Sequence, residues 1–465
     1  MIVSFFPEAT GRLHVPAAFR AILIAAGFAI IAATSVAAQS APPANTLVLT
    51  HVTVIDVVGN MPLPDTTIVI TGDRIGALGK TGAVAVPVGS QIVDATGKYL
   101  IPGLWDMHVH LSYARASALP VLLANGVTGV RDVGSDLVEI DTWRTQIAAG
   151  VLTGPRIVRA GPMLNDRSRN PYQLATGGPE QARGIVRALK QVGVDCIKVH
   201  RRVPRDDYFA IVDEAHKQGL RVIGHIPVTV RPEEASDAGQ EIEHAYTLFE
   251  GTMLAGRPEE EAADVMERFL ADPANDSLFA RFARNHTVVD ATLAPYHQIA
   301  DPRWLDDALM RYVAQSTKQK WRKMYPPMTD RDFAMNKRID TDLQAVVGRM
   351  YRAGVMILAG TDVSLVRPPG FMLHDELALL AKGGLPPLEA LRAATLNPAK
   401  FLQRETDFGS VTVGRLADLV LLDANPLEDI HNTQRIRAVI WRGKLLDRAA
   451  LDNLLALGER QANQN

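Results

Sequence analysis

The sequence contains a single cysteine, Cys196, in 465 residues. One thiol can form neither an intramolecular disulfide nor a thiolate zinc site. Any metal must therefore be held by His, Asp, Glu or a modified Lys. Cys196 itself precedes Ile197 and reads as a small apolar residue of a buried strand. A positive charge excess is also missing. Lys and Arg number 49 against 51 Asp and Glu, a formal net charge of −2. No basic field draws nucleic acid, and no nucleic-acid role is expected. Beyond the N-terminus, no apolar run is long enough to span a bilayer.

What is present is ordinary globular material. Hydrophobic residues make up 47% and charged residues 22%, enough for a large core. The length suits a barrel of about 250 residues or more with an accessory domain. Residues 1–38 read as a signal peptide. Arg12 and Arg20 precede an apolar run over 21–33, and Val36-Ala37-Ala38 offers small residues for cleavage before Gln39. An uncleaved anchor is the alternative. Export without disulfides suits a bacterial periplasm or secretion.

Residues 39–45 read as a linker. Short β-type runs follow at 47–56, 67–70, 74–78 and 91–94, separated by turns such as Gly59-Asn60 and Gly72-Asp73. The same style returns at 418–422, 437–442 and 444–446. The economical inference is one composite β-sandwich domain, 39–99 plus 405–450, with the middle inserted.

That middle, 100–404, alternates strand-like and helix-like segments. Strands are expected at 100–111, 127–133, 156–160, 196–200, 221–226, 241–245, 287–293 and 356–361, with amphipathic helices such as 180–192, 206–218 and 343–353. Eight strands with crossovers predict an α/β fold, a parallel (β/α)8 TIM barrel. Residues 250–285 and 296–342 follow strands six and seven and read as a helical, substrate-shaping cap.

Chemistry-bearing residues recur where these strands end. In a strand, residues i and i+2 point to one side, so His108 and His110 can bind one ion together. Asp106 shares their parity and could orient an imidazole. Lys198 lies on an otherwise apolar strand, where an ammonium is costly to bury. His225 ends strand five, His244 ends strand six, and Asp362 follows strand eight. Taken singly, each has a plain explanation, such as a core histidine or a helix N-cap. Together they converge on the C-terminal mouth, where this fold places its sites. Imidazole and carboxylate ligands suit zinc or manganese.

The order His-x-His, Lys, His, His, Asp resembles the binuclear amidohydrolase superfamily. The resemblance covers nearly all the chain after residue 45. It includes Ile101-Pro102-Gly103-Leu104, Ala394-Thr395-Leu396-Asn397-Pro398-Ala399, and the run from Gly409 through Gly414-Arg415-Leu416-Ala417-Asp418 to Val420. Within the superfamily the chain is similar to the exported branch called imidazolonepropionase-like or Xaa-Pro dipeptidase-like. The resemblance implies two divalent ions, Zn2+ foremost. His108, His110 and Asp362 would hold the buried ion, His225 and His244 the exposed one, and a CO2-carboxylated Lys198 would bridge both. It further implies hydrolysis of a peptide or N-acyl amino acid amide by a metal-bridged hydroxide, with Asp362 as the catalytic proton carrier.

A substrate carboxylate would call for an arginine, and Arg201, Arg202 and Arg231 lie near the strand-four and strand-five mouths. Tyr246 is placed to contact the substrate carbonyl, and His297 to line the pocket; His374 could line it or pack. The chain departs from the peptidase-like pattern after the lysine, where Val199-His200-Arg201-Arg202-Val203-Pro204 replaces a Ser-Gly-Gly run. Lys198 argues against imidazolonepropionase activity proper, which lacks a bridging lysine. Three alternatives stay open: an esterase, lactonase or phosphotriesterase on the same centre, a mononuclear deaminase, and a periplasmic binding protein without turnover. The expected partner is a small molecule; a homo-oligomer is left open.

Overall fold

The structure, a computed structural model, describes residues 46–254, 259–301, 307–324, 328–363 and 368–464. The expected signal peptide, linker and cleavage site lie outside these residues. Among the described residues, no helix is long and apolar enough to cross a membrane.

Strands from both ends of the chain share one eight-stranded sheet. Its central strand Thr46–Val54 pairs with Leu63–Thr71, Gln91–Asp94 and Tyr99–Pro102; Leu419–Leu422 joins the last of these antiparallel, and Ile436–Trp441 and Lys444–Leu446 continue outward. Alternation divides the side chains between two cores. Leu100, Leu419, Leu421, Ala438 and Ile440 pack within the β-rich part. Ile101, Val420, Leu422, Val439 and Trp441, one residue out of phase, join the main core.

The predicted strand at 100–111 is two strands, Tyr99–Pro102 in the outer sheet and Leu104–Val109 in the barrel. Gly103 makes the switch. Its N–H donates to the Asp418 carbonyl at 2.7 Å, and a Cβ there would lie 2.1 Å from Thr128 Oγ1.

Leu104–Val109 begins the ring of parallel strands. Val127–Asp132 and Arg156–Arg159 follow in its sheet, and Cys196–Val199, Arg221–Gly224, Glu241–Glu243, Val288–Asp290 and Met356–Leu358 form a second. All run parallel. Among the described residues no continuous ladder closes the ring; isolated contacts bridge its seams. Val109 pairs with Val363, Met107 N–H donates to Ala359 O at 3.0 Å, and Asp195 N–H donates to Arg159 O at 2.9 Å. Cys196 is buried in its strand.

Two short strands, Met163–Asn165 and Gln173–Ala175, extend the second sheet and were not expected. Their three-residue length carries no readable period. A helix, Arg448–Gln464, follows the last of the outer-sheet strands. Residues 315–324 and 330–352 are helical as expected of a cap.

Candidate metal centre

The six sequence-predicted ligands come from five strand ends. His108 lies inside the first barrel strand and His110 directly after it, so both face inward. Lys198 lies within strand four, His225 and His244 follow strands five and six, and Asp362 follows strand eight. Gly224, at φ 129°, sets the approach to His225, because a Cβ there would sit 2.1 Å from the Val199 carbonyl oxygen. His244 and Asp362 both adopt left-handed backbone, φ 64° and 50°. Such strain in non-glycine residues costs about 1–3 kcal/mol each and clusters at functional sites.

The side chains meet. Asp362 Oδ1 lies 3.3 Å from His110 Nε2 and 3.7 Å from His108 Nε2. The His108 and His244 rings are 4.6 Å apart, as are those of His225 and His244. Five of the six line one cavity of about 400 Å3, and His108 lies fully buried behind it. Two donor sets have ligand atoms close enough to share one ion: His108, His110 and Asp362, and His108, Glu243 and His244.

Outer contacts aim two of the rings. Gly134 O faces His110 Nδ1 at 3.0 Å and Thr292 Oγ1 faces His244 Nδ1 at 2.7 Å, leaving each Nε2 directed inward. Asp106 does not orient an imidazole. It accepts from Thr361 N–H, Thr361 Oγ1 and His108 N–H at 3.0, 2.6 and 3.2 Å. It thereby ties strand one to the loop carrying Asp362.

Burial dominates the electrostatics. It pushes His108 and His225 well below the ordinary imidazole range, with neighbouring cations and rings adding to it. It brings His244 down to about 3 and Lys198 down to about 7. Burial alone would raise Asp362, but the His110 hydrogen bond and nearby cations bring it below the usual carboxylate value. Neutral imidazoles and an ionised carboxylate are the metal-binding forms. The residues fit a metal on a second ground. Buried atoms without a hydrogen-bond partner among the described residues concentrate here: both His108 nitrogens, His225 Nδ1 and Glu243 Oε1. Imidazole lone pairs and carboxylate oxygens buried without a partner are costly, and a metal ion would satisfy them.

Several interior residues escaped the sequence reading. Arg131, fully buried, pairs bidentately with Glu241 and donates to Asp290 at 3.2 Å. Glu243 forms an ion pair with Lys198. The available signal was parity: Glu241 and Glu243 flank the apolar Ile242 on a buried strand. His200 was also passed over. Its ring lies 4.5 Å from that of His225 and it lines the cavity.

Of the residues expected to touch substrate, Arg201 and Tyr246 line the cavity. Arg201 also donates to the buried Glu250 at 3.2 Å. Arg202 and Arg231 are not among the lining residues. Arg231 instead caps the helix Pro232–Asp237. His297 does not line this cavity either; its Nδ1 meets Asp340 at 2.9 Å and it borders a separate cleft with Asp375 and His431. One helical turn at Ala294–Ile299 turns Tyr296, not His297, inward. His374 packs, held by Thr433 at 3.0 Å and the Asn125 carbonyl at 3.1 Å. Of the expected cap, Glu250, Tyr296, Thr317, Lys320 and Trp321 line the cavity, while among the described residues the helices Glu259–Ala271 and Asp276–Arg284 contribute none.

The chain is 25% identical over 410 residues to ochratoxinase from Aspergillus niger, covering 74% of each. Among solved structures it is similar to a prolidase complexed with N-methylphosphonate-L-proline, at 25% identity and TM-score 0.63, covering 87% of this chain and all of that one. It also resembles bottromycin amidohydrolase, at 23% identity and TM-score 0.75, covering 90% of each. That last likeness speaks for the fold alone. Residues 99–446 match the Amidohydrolase family, whose members generally use a binuclear metal centre, and the chain belongs to that family.

Proposed function

We propose that the protein is a binuclear metal-dependent hydrolase that cleaves the amide bond of a small N-acyl amino acid or dipeptide. The observation that carries this reading is the convergence of His110, Lys198, His225, His244 and Asp362 on one cavity, with His108 and its unpaired nitrogens buried behind them. The family and the relatives named ochratoxinase and prolidase support amide hydrolysis. When bound, two divalent ions, Zn2+ foremost, would polarise the scissile carbonyl and acidify a water.

The chain's own groups then have distinct tasks. His108, His110 and Asp362 have ligand atoms close enough to share one ion, and His225 and His244, whose rings lie 4.6 Å apart on the cavity wall, would hold the second. Lys198 lines the same cavity. Burial favours its neutral amine, the form that reacts with CO2 to give a bridging carbamate. Asp362, ionised beside His110, accepts a proton from the attacking water and returns it to the leaving amine. Tyr246 faces the substrate from the cavity wall. Arg201, already steadied by Glu250, has donors left for a substrate carboxylate. Tyr113, Tyr296 and Trp321 supply apolar walls. A cavity of about 400 Å3 admits a small molecule rather than a folded polypeptide. The cationic and apolar N-terminal residues support export to the periplasm or beyond.

The test is turnover by the zinc-loaded protein, with bicarbonate, of a panel of dipeptides, N-acyl amino acids, lactones and phosphotriesters. Amide cleavage that disappears in Asp362→Asn is the expected result. Activity confined to esters or lactones overturns the amide assignment. Metal binding with no turnover across the panel favours a binding protein.

A further inference from the structure

We infer that Glu243 is the positioning residue that holds Lys198 and His108 in their metal-binding orientation. The inference rests on the metal-centre reading above. Glu243 is fully buried on the strand Glu241–Glu243, one residue before His244. Its carboxylate contacts Lys198 Nζ as an ion pair. The same Oε2 lies 3.7 Å from His108 Nδ1. Its Oε1 lies 3.5 Å from Arg131 Nη2. Arg131 is itself pinned from below by Glu241 and by the Met107 carbonyl, which its Nε reaches at 2.7 Å. Neither Glu243 oxygen has a hydrogen-bond partner elsewhere among the described residues. The carboxylate is therefore held by one cation and committed to nothing but the candidate ligands.

The chemistry of those ligands needs such an acceptor. An imidazole that binds a metal through Nε2 carries its proton on Nδ1, and that N–H requires a partner to fix tautomer and ring. His110 has Gly134 and His244 has Thr292. Around His108 Nδ1, the carboxylates in range are Glu243 at 3.7 Å and Asp290 at 3.8 Å. Asp290 Oδ2 is tied to Arg131 at 3.2 Å, whereas Glu243 Oε2 faces Lys198, itself a candidate ligand. Lys198 poses the same demand. Reaction of its neutral amine with CO2 forms one N–C bond, releases one proton to solvent and leaves one N–H on Nζ. Glu243 Oε2 is the carboxylate in contact with that nitrogen. One side chain thus orients a ligand of the deeper ion and the bridge.

The test compares wild type, Glu243→Gln, Glu243→Asp and Glu241→Gln, each loaded with Zn2+ in 13C-bicarbonate. Bound zinc is counted by mass spectrometry, affinity is read by chelator competition, and the carbamate carbon is observed by 13C NMR. Wild type should bind two ions and show the carbamate signal. Glu243→Gln and Glu243→Asp should bind at least one ion about 10- to 100-fold more weakly and lose the signal. Glu241→Gln, whose parent residue reaches Glu243 only through Arg131, should lose less affinity than either Glu243 variant and keep the carbamate signal. Wild-type binding in either folded Glu243 variant overturns the inference, as does an equal loss in Glu241→Gln. A wild type that binds no metal sinks the metal-centre reading along with it. Should the Glu243 variants fail to fold, a crystal structure of the loaded wild type decides. Glu243 beyond hydrogen-bond reach of both Lys198 Nζ and His108 Nδ1 overturns the proposal.

Discussion

Asp362 combines left-handed backbone, an ionised carboxylate and a 3.3 Å approach to His110. Its replacement by Asn keeps the shape but removes the proton acceptor. Turnover should fall by about 10²- to 10⁴-fold, measured as kcat on whichever amide the wild type cleaves. Arg201 makes a different kind of contribution, because a clamp on the carboxylate binds substrate and transition state alike. Arg201→Gln should raise KM about 10- to 100-fold, the loss of a charged hydrogen bond, with kcat nearly unchanged. A fall in kcat with KM unmoved would remove Arg201 from substrate binding.

His374 shows residue-scale physics away from the site. Burial brings its pKa down from 6.5 to about 4, against the opposing hydrogen bond to the Asn125 carbonyl. The unfolded chain takes up the proton first as pH falls. Stability from keeping His374 neutral is therefore complete above about pH 6.5, and is lost as pH drops toward 4. Thermal melts of wild type should fall more steeply across that window than those of His374→Gln. Parallel slopes would show that His374 does not carry this dependence.

At the scale of elements, the site is a product of strand ends. His110, His225 and His244 directly follow their strands, His108 and Lys198 are the last residue but one of theirs, and Asp362 lies in the loop after strand eight. The terminal helix Arg448–Gln464 supports this arrangement from outside. It packs on Ala118–Ala124, the helix that follows the strand carrying the His108 and His110 pair. Gly458 permits that approach: a Cβ there would lie 2.3 Å from Val121 Cγ2 and 3.1 Å from the Ser117 carbonyl. In an exposed helix Gly→Ala stabilises by about 1 kcal/mol. At Gly458 the overlap should reverse the sign, with Ala costing about 1–3 kcal/mol in urea melts. A more stable Gly458→Ala would mean that the two helices are not this close.

For the whole molecule, buried charge is unbalanced. Asp106, Glu241, Glu243, Asp290 and Asp362 share the barrel interior with Arg131 and Lys198 as the buried bases. Burial raises Asp106 to about 7 and Asp290 to about 8, so part of this excess is relieved by protonation. Divalent ions would relieve more. Zinc at a thousand times its dissociation constant should stabilise the fold by about 4 kcal/mol. Chelation should accordingly lower Tm by several degrees, and restoring the metal should recover it. Identical melts with and without chelator would argue against a resident ion.

Much of the architecture was legible from local pattern. Period-2 alternation, turn residues and amphipathic helices located all eight barrel strands to within a few residues and set the β-type runs at both ends. The candidate ligands were legible for the same reason. His108 and His110 share parity, and a Lys on an apolar strand is conspicuous against its neighbours. What the sequence could not show depends on through-space distance. Glu243, Asp290 and Arg131 come from strands two, six and seven, and nothing in their spacing announces a shared centre. Arg201 and Arg202 are adjacent in sequence, but only Arg201 lines the cavity. The single helical turn that brings Tyr296 rather than His297 inward is likewise settled by packing. Local sequence determined the elements and the inward parity of their polar residues. The tertiary structure decided which buried charges meet, because desolvation and Coulomb energy act between atoms close in space, whatever their separation along the chain.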